Sequence, residues 1–232
     1  IKSFFFISTS VFEGRPDYLE IFRYFRVNFF KNIDEFYNAF YQLLEKDLTL
    51  FFKDKNELIN LKKIKFPFYS IEDIKFRLVR DIFLNKKEYE KTMFLMFKKK
   101  NFDYEEISTN HHFHKNDLTK LGNLGHLIGL HSHSHPTLLE NLNYKEQKDE
   151  YTKCQSIISN IVSKPQNQIN CMSHPCGSYN GDTLKILKGL GIELGFKCVM
   201  TVEKEKGMKK INNSFLEIAR NDHTEILKKM KG

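Results

Sequence analysis

The chain is poor in the residues that break or staple a fold. Of 232 residues only 5 are Pro and 11 are Gly, and Cys number 4. With 41% hydrophobic and 28% charged residues, that excludes a disordered, collagen-like or low-complexity chain, because there is enough apolar surface for a core. No apolar run approaches the roughly 20 residues that cross a bilayer. The run Phe4 to Ile7 is too short for a signal-peptide core. Cys154, Cys171, Cys176 and Cys198 form neither a C-x-x-C motif nor a dense disulfide framework. They read as free thiols in a reducing, cytoplasmic setting.

Lys plus Arg is 37 against 29 for Asp plus Glu, a formal net charge of +8. Such an excess can mark a nucleic-acid binder, but no recognition motif accompanies it and the Lys residues are spread along the chain. A solvated basic surface accounts for them. A weaker alternative is attraction of anionic substrates such as nucleotide-linked or lipid-diphosphate-linked sugars. The length suits one domain, or one domain with a large insertion.

The chain starts at Ile1, not Met, and Ser3 to Thr9 already reads as a strand. A strand needs partners, so further chain is expected ahead of it. Residues 15–110 read as helical. Ile33 to Asp47 carries apolar residues at one-face spacing, Ser70-x-x-Asp73 opens a helix, and Asn85 to Lys100 is a further amphipathic stretch. No catalytic constellation falls there. From about residue 116 helices and strands alternate. His126 to His131, Gln168 to Met172 and Ile192 to Met200 are strand candidates, and Asn143-x-x-Glu146 and Asp182 are helix starts, the second helix ending at Gly191. That alternation implies a parallel α/β sheet, open or closed into a barrel, with its chemistry beyond the carboxyl ends of the strands.

Three groups of side chains fall there. His131-Ser132-His133-Ser134-His135-Pro136 follows an apolar strand, and two imidazoles four residues apart can converge on one divalent ion. Positions i and i+4 share a helix face, and alternate residues share a strand face, so the spacing suits either backbone; a polar loop would carry the same residues. Ser173-His174-Pro175-Cys176-Gly177-Ser178-Tyr179 ends the next strand, where Pro and Gly can fix a loop that aims backbone N–H groups into a cleft. Arg220-Asn221-Asp222-His223 brings a guanidinium, a carboxylate and an imidazole close in sequence, the makings of an oriented acid or base or simply a charged surface segment. A second cluster, His111-His112-Phe113-His114, has no strand behind it and is assigned no role.

Together these segments resemble the polysaccharide deacetylases of carbohydrate esterase family four, the NodB-homology domain. The run Gly125 to Pro136 resembles the family's metal motif, and Ser173 to Gly177 its third motif, one wall of the groove. The resemblance implies a distorted (β/α) barrel, a single domain over 1–232 with a helical insertion at 15–110. It implies a divalent metal, zinc above all, held by His131 and His135, with His133 a neighbour. It implies a substrate wall of Ser173, His174, Pro175, Cys176, Gly177 and Tyr179. The catalytic assignments are His223 as proton donor held by Asp222, His174 in reserve, and Arg220 supplying the charge of the motif's usual Arg, which Ser173 replaces. The family's Asp pair, third metal ligand and base, is expected ahead of Ile1. The activity implied is metal-dependent removal of an N-acetyl group from an amino sugar or glycan precursor, in surface-polysaccharide biosynthesis. The alternative is a catalytically inactive carbohydrate-binding relative. No nucleic acid and no membrane span are expected.

Overall fold

The structure is a computed structural model that describes residues 1–44, 46–110, 112–200, 210–220, 226–227 and 230. The chain divides into two compact units, one formed by Ile1–Arg15 with Phe113–Gly232, the other by Pro16–His112.

The first unit is built on a parallel sheet: β1 (Phe4–Ile7), β2 (Leu127–Leu130), β3 (Cys171–Ser173), β4 (Leu194–Met200) and β5 (Ile218–Arg220). The strands lie in sequence order, every neighbouring pair parallel. A doubly wound sheet reverses its order at a switch point. This one adds each new strand to the same edge, as a (β/α) barrel does. Among the described residues β1 and β5 are not paired with each other, so the sheet does not close within them. Phe4 pairs with Leu127 and Ile7 with Leu130, while Met172 pairs with both Leu130 and Gly195.

The strands approach closely where they carry glycine. A Cβ on Gly129 would sit 2.6 Å from the Cys171 carbonyl oxygen, and one on Gly195 would sit 2.5 Å from that of Leu216. Neither backbone oxygen can yield as a side-chain tip can, so both strands require glycine there.

Ten α-helices, besides shorter 3₁₀ and π turns, lie among the described residues. In this unit they are α8 (Lys115–Asn123), α9 (Tyr144–Val162) and α10 (Gly181–Gly189); in the second, α1 (Tyr18–Asn28), α2 (Ile33–Leu44), α3 (Thr49–Asp54), α4 (Asn56–Lys65), α5 (Ile71–Leu78), α6 (Lys86–Lys99) and α7 (Glu105–Asn110). Asn143 caps α9 by accepting from the Glu146 N–H, while Glu146 accepts from the Asn143 N–H, a reciprocal box that satisfies two orphan donors. Helix α9 buries Tyr151, Cys154 and Ile158, at helical spacing, in a core with Leu130, Met172 and Leu187. Asn180, not Asp182, caps α10: its side chain accepts from the Asp182 and Thr183 N–H groups, which puts Asp182 inside the first turn. The short β5, unforeseen in the sequence, is recruited by its pairing with β4.

The second unit is helical with an aromatic core. Phe25, Phe36 and Phe40 are fully enclosed with Phe76, Met93 and Phe97. Burying each such ring contributes roughly 2–3 kcal/mol. Ser70 caps α5 through the Asp73 N–H. The Asp73 carboxylate accepts from Arg26 at 3.2 Å, Arg77 at 2.8 Å and the Tyr37 hydroxyl at 3.0 Å. That network is structural. No helix among the described residues is long and apolar enough to cross a membrane.

Candidate metal centre

His131 is the first residue beyond β2, and its N–H still donates to the Ile7 carbonyl, continuing the ladder. The chain then turns sharply. Ser132 has φ 62° and His135 φ 54°, left-handed values that cost a non-glycine residue roughly 1–2 kcal/mol each. The His135 N–H donates to Ser132 Oγ at 3.1 Å, closing the turn. The result is neither helix nor pleat. The turn, not a backbone period, brings the imidazoles of His131 and His135 together, centroids 4.7 Å apart and ring planes tilted by 38°.

His131 Nδ1 lies 2.8 Å from the Ser173 carbonyl oxygen. A carbonyl only accepts, so Nδ1 carries the proton and Nε2 keeps its lone pair. Metal-binding histidines are usually oriented in this way, the second nitrogen donating to an outer acceptor. The donor chemistry therefore fits two ligands of a divalent cation. Among the described residues no group of three or more His, Cys, Asp or Glu side chains is arranged to hold a metal.

His133 sits apart from the pair. It is buried, its Nδ1 is 2.9 Å from Thr9 Oγ1, and its Nε2 is 3.5 Å from Glu13. Burial first, and the Lys153 charge second, push its pKa below the ordinary imidazole value. It is a packed structural histidine. His114, of the second cluster, starts α8, its N–H donating to Asp117.

The loop after β3 is half enclosed. Ser173, His174 and Pro175 are buried, while Cys176 is exposed and Gly177 and Tyr179 are partly so. The wall expected from all six residues is therefore presented to solvent by the last three. His174 is 1% exposed, stacks on Tyr179 at 4.3 Å and donates from Nε2 to the Leu216 carbonyl at 2.8 Å. Burial pushes its pKa down to about 4. Near neutral pH the ring is therefore uncharged, with its Nε2 proton engaged by Leu216. Burial also pushes the Cys154 thiol up to about 12 and that of Cys171 up to about 11, so neither supplies a thiolate nucleophile.

Beside this loop lies a polar cluster that was not read from the sequence. The Tyr179 hydroxyl donates to Glu217 at 2.6 Å and accepts from the Lys197 ammonium. Asn212 also donates to Glu217, at 3.1 Å. Lys197 and Glu217 are 9% and 3% exposed, and the Tyr179 hydroxyl is hydrogen-bonded to both. The one available signal was a lysine inside an apolar strand. Arg220, at the end of β5, donates from Nε to the Lys197 carbonyl at 2.8 Å. Asp222 and His223 lie outside the described residues.

The family model for polysaccharide deacetylase matches residues 81–195. That span runs from within the helical unit through β2, the His131–His135 turn, α9, β3 and α10 to the start of β4. No curated protein matches the chain. Among solved structures it is similar to the Streptococcus pyogenes deacetylase PplD in complex with acetate, at 18% identity over 58% of each chain, TM-score 0.41. It is also similar to the BpsB deacetylase domain from Bordetella bronchiseptica, at 15% identity over 47% of this chain and 48% of that one, TM-score 0.38. A CE4 family pseudoenzyme from Bacillus anthracis matches at 19% identity over 34% of this chain and 26% of its own, TM-score 0.31. The chain thus spans less than two thirds of the length of each of these relatives. Residues 81–195, just under half of the chain, thus match the polysaccharide deacetylase family.

Proposed function

We propose that the chain removes an N-acetyl group from an amino sugar or glycan precursor, with a divalent cation, zinc first, at His131 and His135. The observation that carries the reading is the convergence of the two rings at 4.7 Å, with His131 Nδ1 committed to Ser173 so that Nε2 faces the task of ligation. A cation held there supplies Lewis acidity towards an acyl carbonyl and acidifies water to a pKa near 7. The third ligand and the base are assigned to the Asp pair of the family's first motif.

The chain's own groups have the following roles. His131 and His135 hold their lone pairs at the strand ends, and Ser173 keeps His131 in the ligating tautomer. The backbone N–H of Cys176, on the exposed turn after β3, receives the developing oxyanion. Exposed parts of Cys176, Gly177 and Tyr179 contact the sugar. His223, oriented by Asp222, gives its proton to the departing amine, and acetate and the free amino sugar leave. The low pKa of His174 favours this assignment over one in which His174 is the acid.

Acetate release from N-acetylated sugars by the full-length protein, with and without chelator, tests the reading. Release that is lost with chelator and in His131→Ala supports it; no release, or release indifferent to both, overturns it. The second reading is a carbohydrate-binding relative without turnover, favoured by the lack of a third ligand among the described residues. It predicts sugar binding with no acetate, and no Asp pair encoded ahead of Ile1.

A further inference from the structure

The turn that brings His131 and His135 together is held from outside by one carboxylate. Ser132 is left-handed, and a left-handed residue turns the next two backbone N–H groups to the same side, a concavity suited to an anion. Glu150, on α9, fills it. Its Oε2 accepts from the His133 N–H and the Ser134 N–H, each at 2.8 Å, and its Oε1 accepts from Ser134 Oγ at 2.6 Å. The other side of the turn is tied down too, since the His133 carbonyl accepts from the Thr9 and Ser10 N–H groups at 3.1 and 2.9 Å. Those bonds fasten the turn to the segment after β1. Only the Glu150 bonds satisfy the donors that the left-handed residue creates.

We propose that Glu150 is a positioning residue that sets the convergence of the His131 and His135 imidazoles, acting through the turn between them. Its bonds to the His133 and Ser134 N–H groups and to Ser134 Oγ act on the turn rather than on either ring. A carboxylate with two oxygens can hold three donors at once; a carboxamide offers one acceptor oxygen and must lose part of the grip. The functional meaning rests on the cation site proposed above, but the structural claim concerns the metal-free protein.

The test has two arms on the full-length chain with Glu150→Gln, Glu150→Ala and, as a control for charge alone, Asp149→Asn at the exposed neighbouring residue. The first arm, without metal, reads hydrogen exchange at the His133 and Ser134 amides and the ring-current shifts of the two imidazoles by NMR. The second titrates cobalt(II) alone and reads affinity from its visible absorption. Expected for Glu150→Ala are faster exchange at both amides, loss of the mutual ring-current shift and a roughly 10–100-fold fall in cobalt affinity, with cooperative unfolding retained. Glu150→Gln falls between, and Asp149→Asn matches the wild type. If Glu150→Ala does not fold, Glu150→Gln, nearly equal in size, carries the test. Unchanged amide exchange and ring shifts in the folded variants overturn the proposal. A wild type that takes up no cobalt, with the first arm responding as expected, overturns the cation reading and leaves the positioning role standing.

Discussion

The Nδ1 of His131 donates to the carbonyl oxygen of Ser173 across 2.8 Å, joining the end of β2 to the end of β3. Two strands far apart in sequence thus determine which nitrogen of one imidazole donates to a carbonyl. The same bond holds the ring against its partner, His135, so the tautomer and the orientation have one cause.

The histidines of this motif divide into a proposed ligand pair and a packed residue. His131→Ala is expected to lower divalent-cation affinity at least about tenfold while leaving the unfolding midpoint close to that of the wild type. His133→Ala should do the reverse, because it removes a buried hydrogen bond to Thr9 Oγ1: a loss of about 1–3 kcal/mol with cation affinity altered far less. Calorimetric cation titration beside denaturant unfolding measures both. A large affinity loss in His133→Ala alone would reassign the ligands.

The buried imidazole of His174 makes stability depend on pH. Its folded pKa is about 4 against an ordinary 6.5. As pH falls below 6.5 the unfolded chain takes up the proton first, so the contribution is complete above 6.5, drains between 6.5 and 4, and is flat below. The loss across that window is about 3 kcal/mol. His174→Gln, whose amide can still donate to Leu216, should flatten this part of the pH profile. Unfolding free energies at several pH values between 4 and 7.5 decide it.

Gly129→Ala should destabilise the sheet by about 1–3 kcal/mol or prevent its assembly, since the new methyl meets the Cys171 carbonyl and the Phe6 ring together. Thermal unfolding measures the change. An unaffected midpoint would mean that β2 and β3 are further apart than described.

Tyr179→Phe removes the hydroxyl between Lys197 and Glu217 while keeping the ring on His174. The expected cost is about 1–3 kcal/mol, from the loss of hydrogen bonds to two buried charged groups. A double-mutant cycle with Glu217→Gln reports the coupling. Additive losses would show that the pair does not interact through the hydroxyl.

Local signals were legible wherever their physics is local. Asn143 and Glu146 lie within one turn of each other, so the capping box could be read without the fold. Likewise Ile128–Leu130 is apolar because both faces of this part of the strand are covered. Misreadings began where two local candidates competed: Asn180 and Asp182 both suit a cap, and the backbone conformation of Asn180 gave it the role. The strand Ile218–Arg220 was missed because three residues make no period, and its existence depends on β4 beside it.

The sequence by itself determined the alternation of strand and helix and the pair of imidazoles at the end of an apolar strand, because hydrophobic period, caps and motif spacing act over a few residues. Tertiary structure alone decided that those imidazoles meet. Their approach depends on two left-handed residues, on a carbonyl from β3 and on a carboxylate 17 residues away on α9. Such partners are chosen by the register of strands and the packing of a helix, and no stretch of chain contains that information until it has folded.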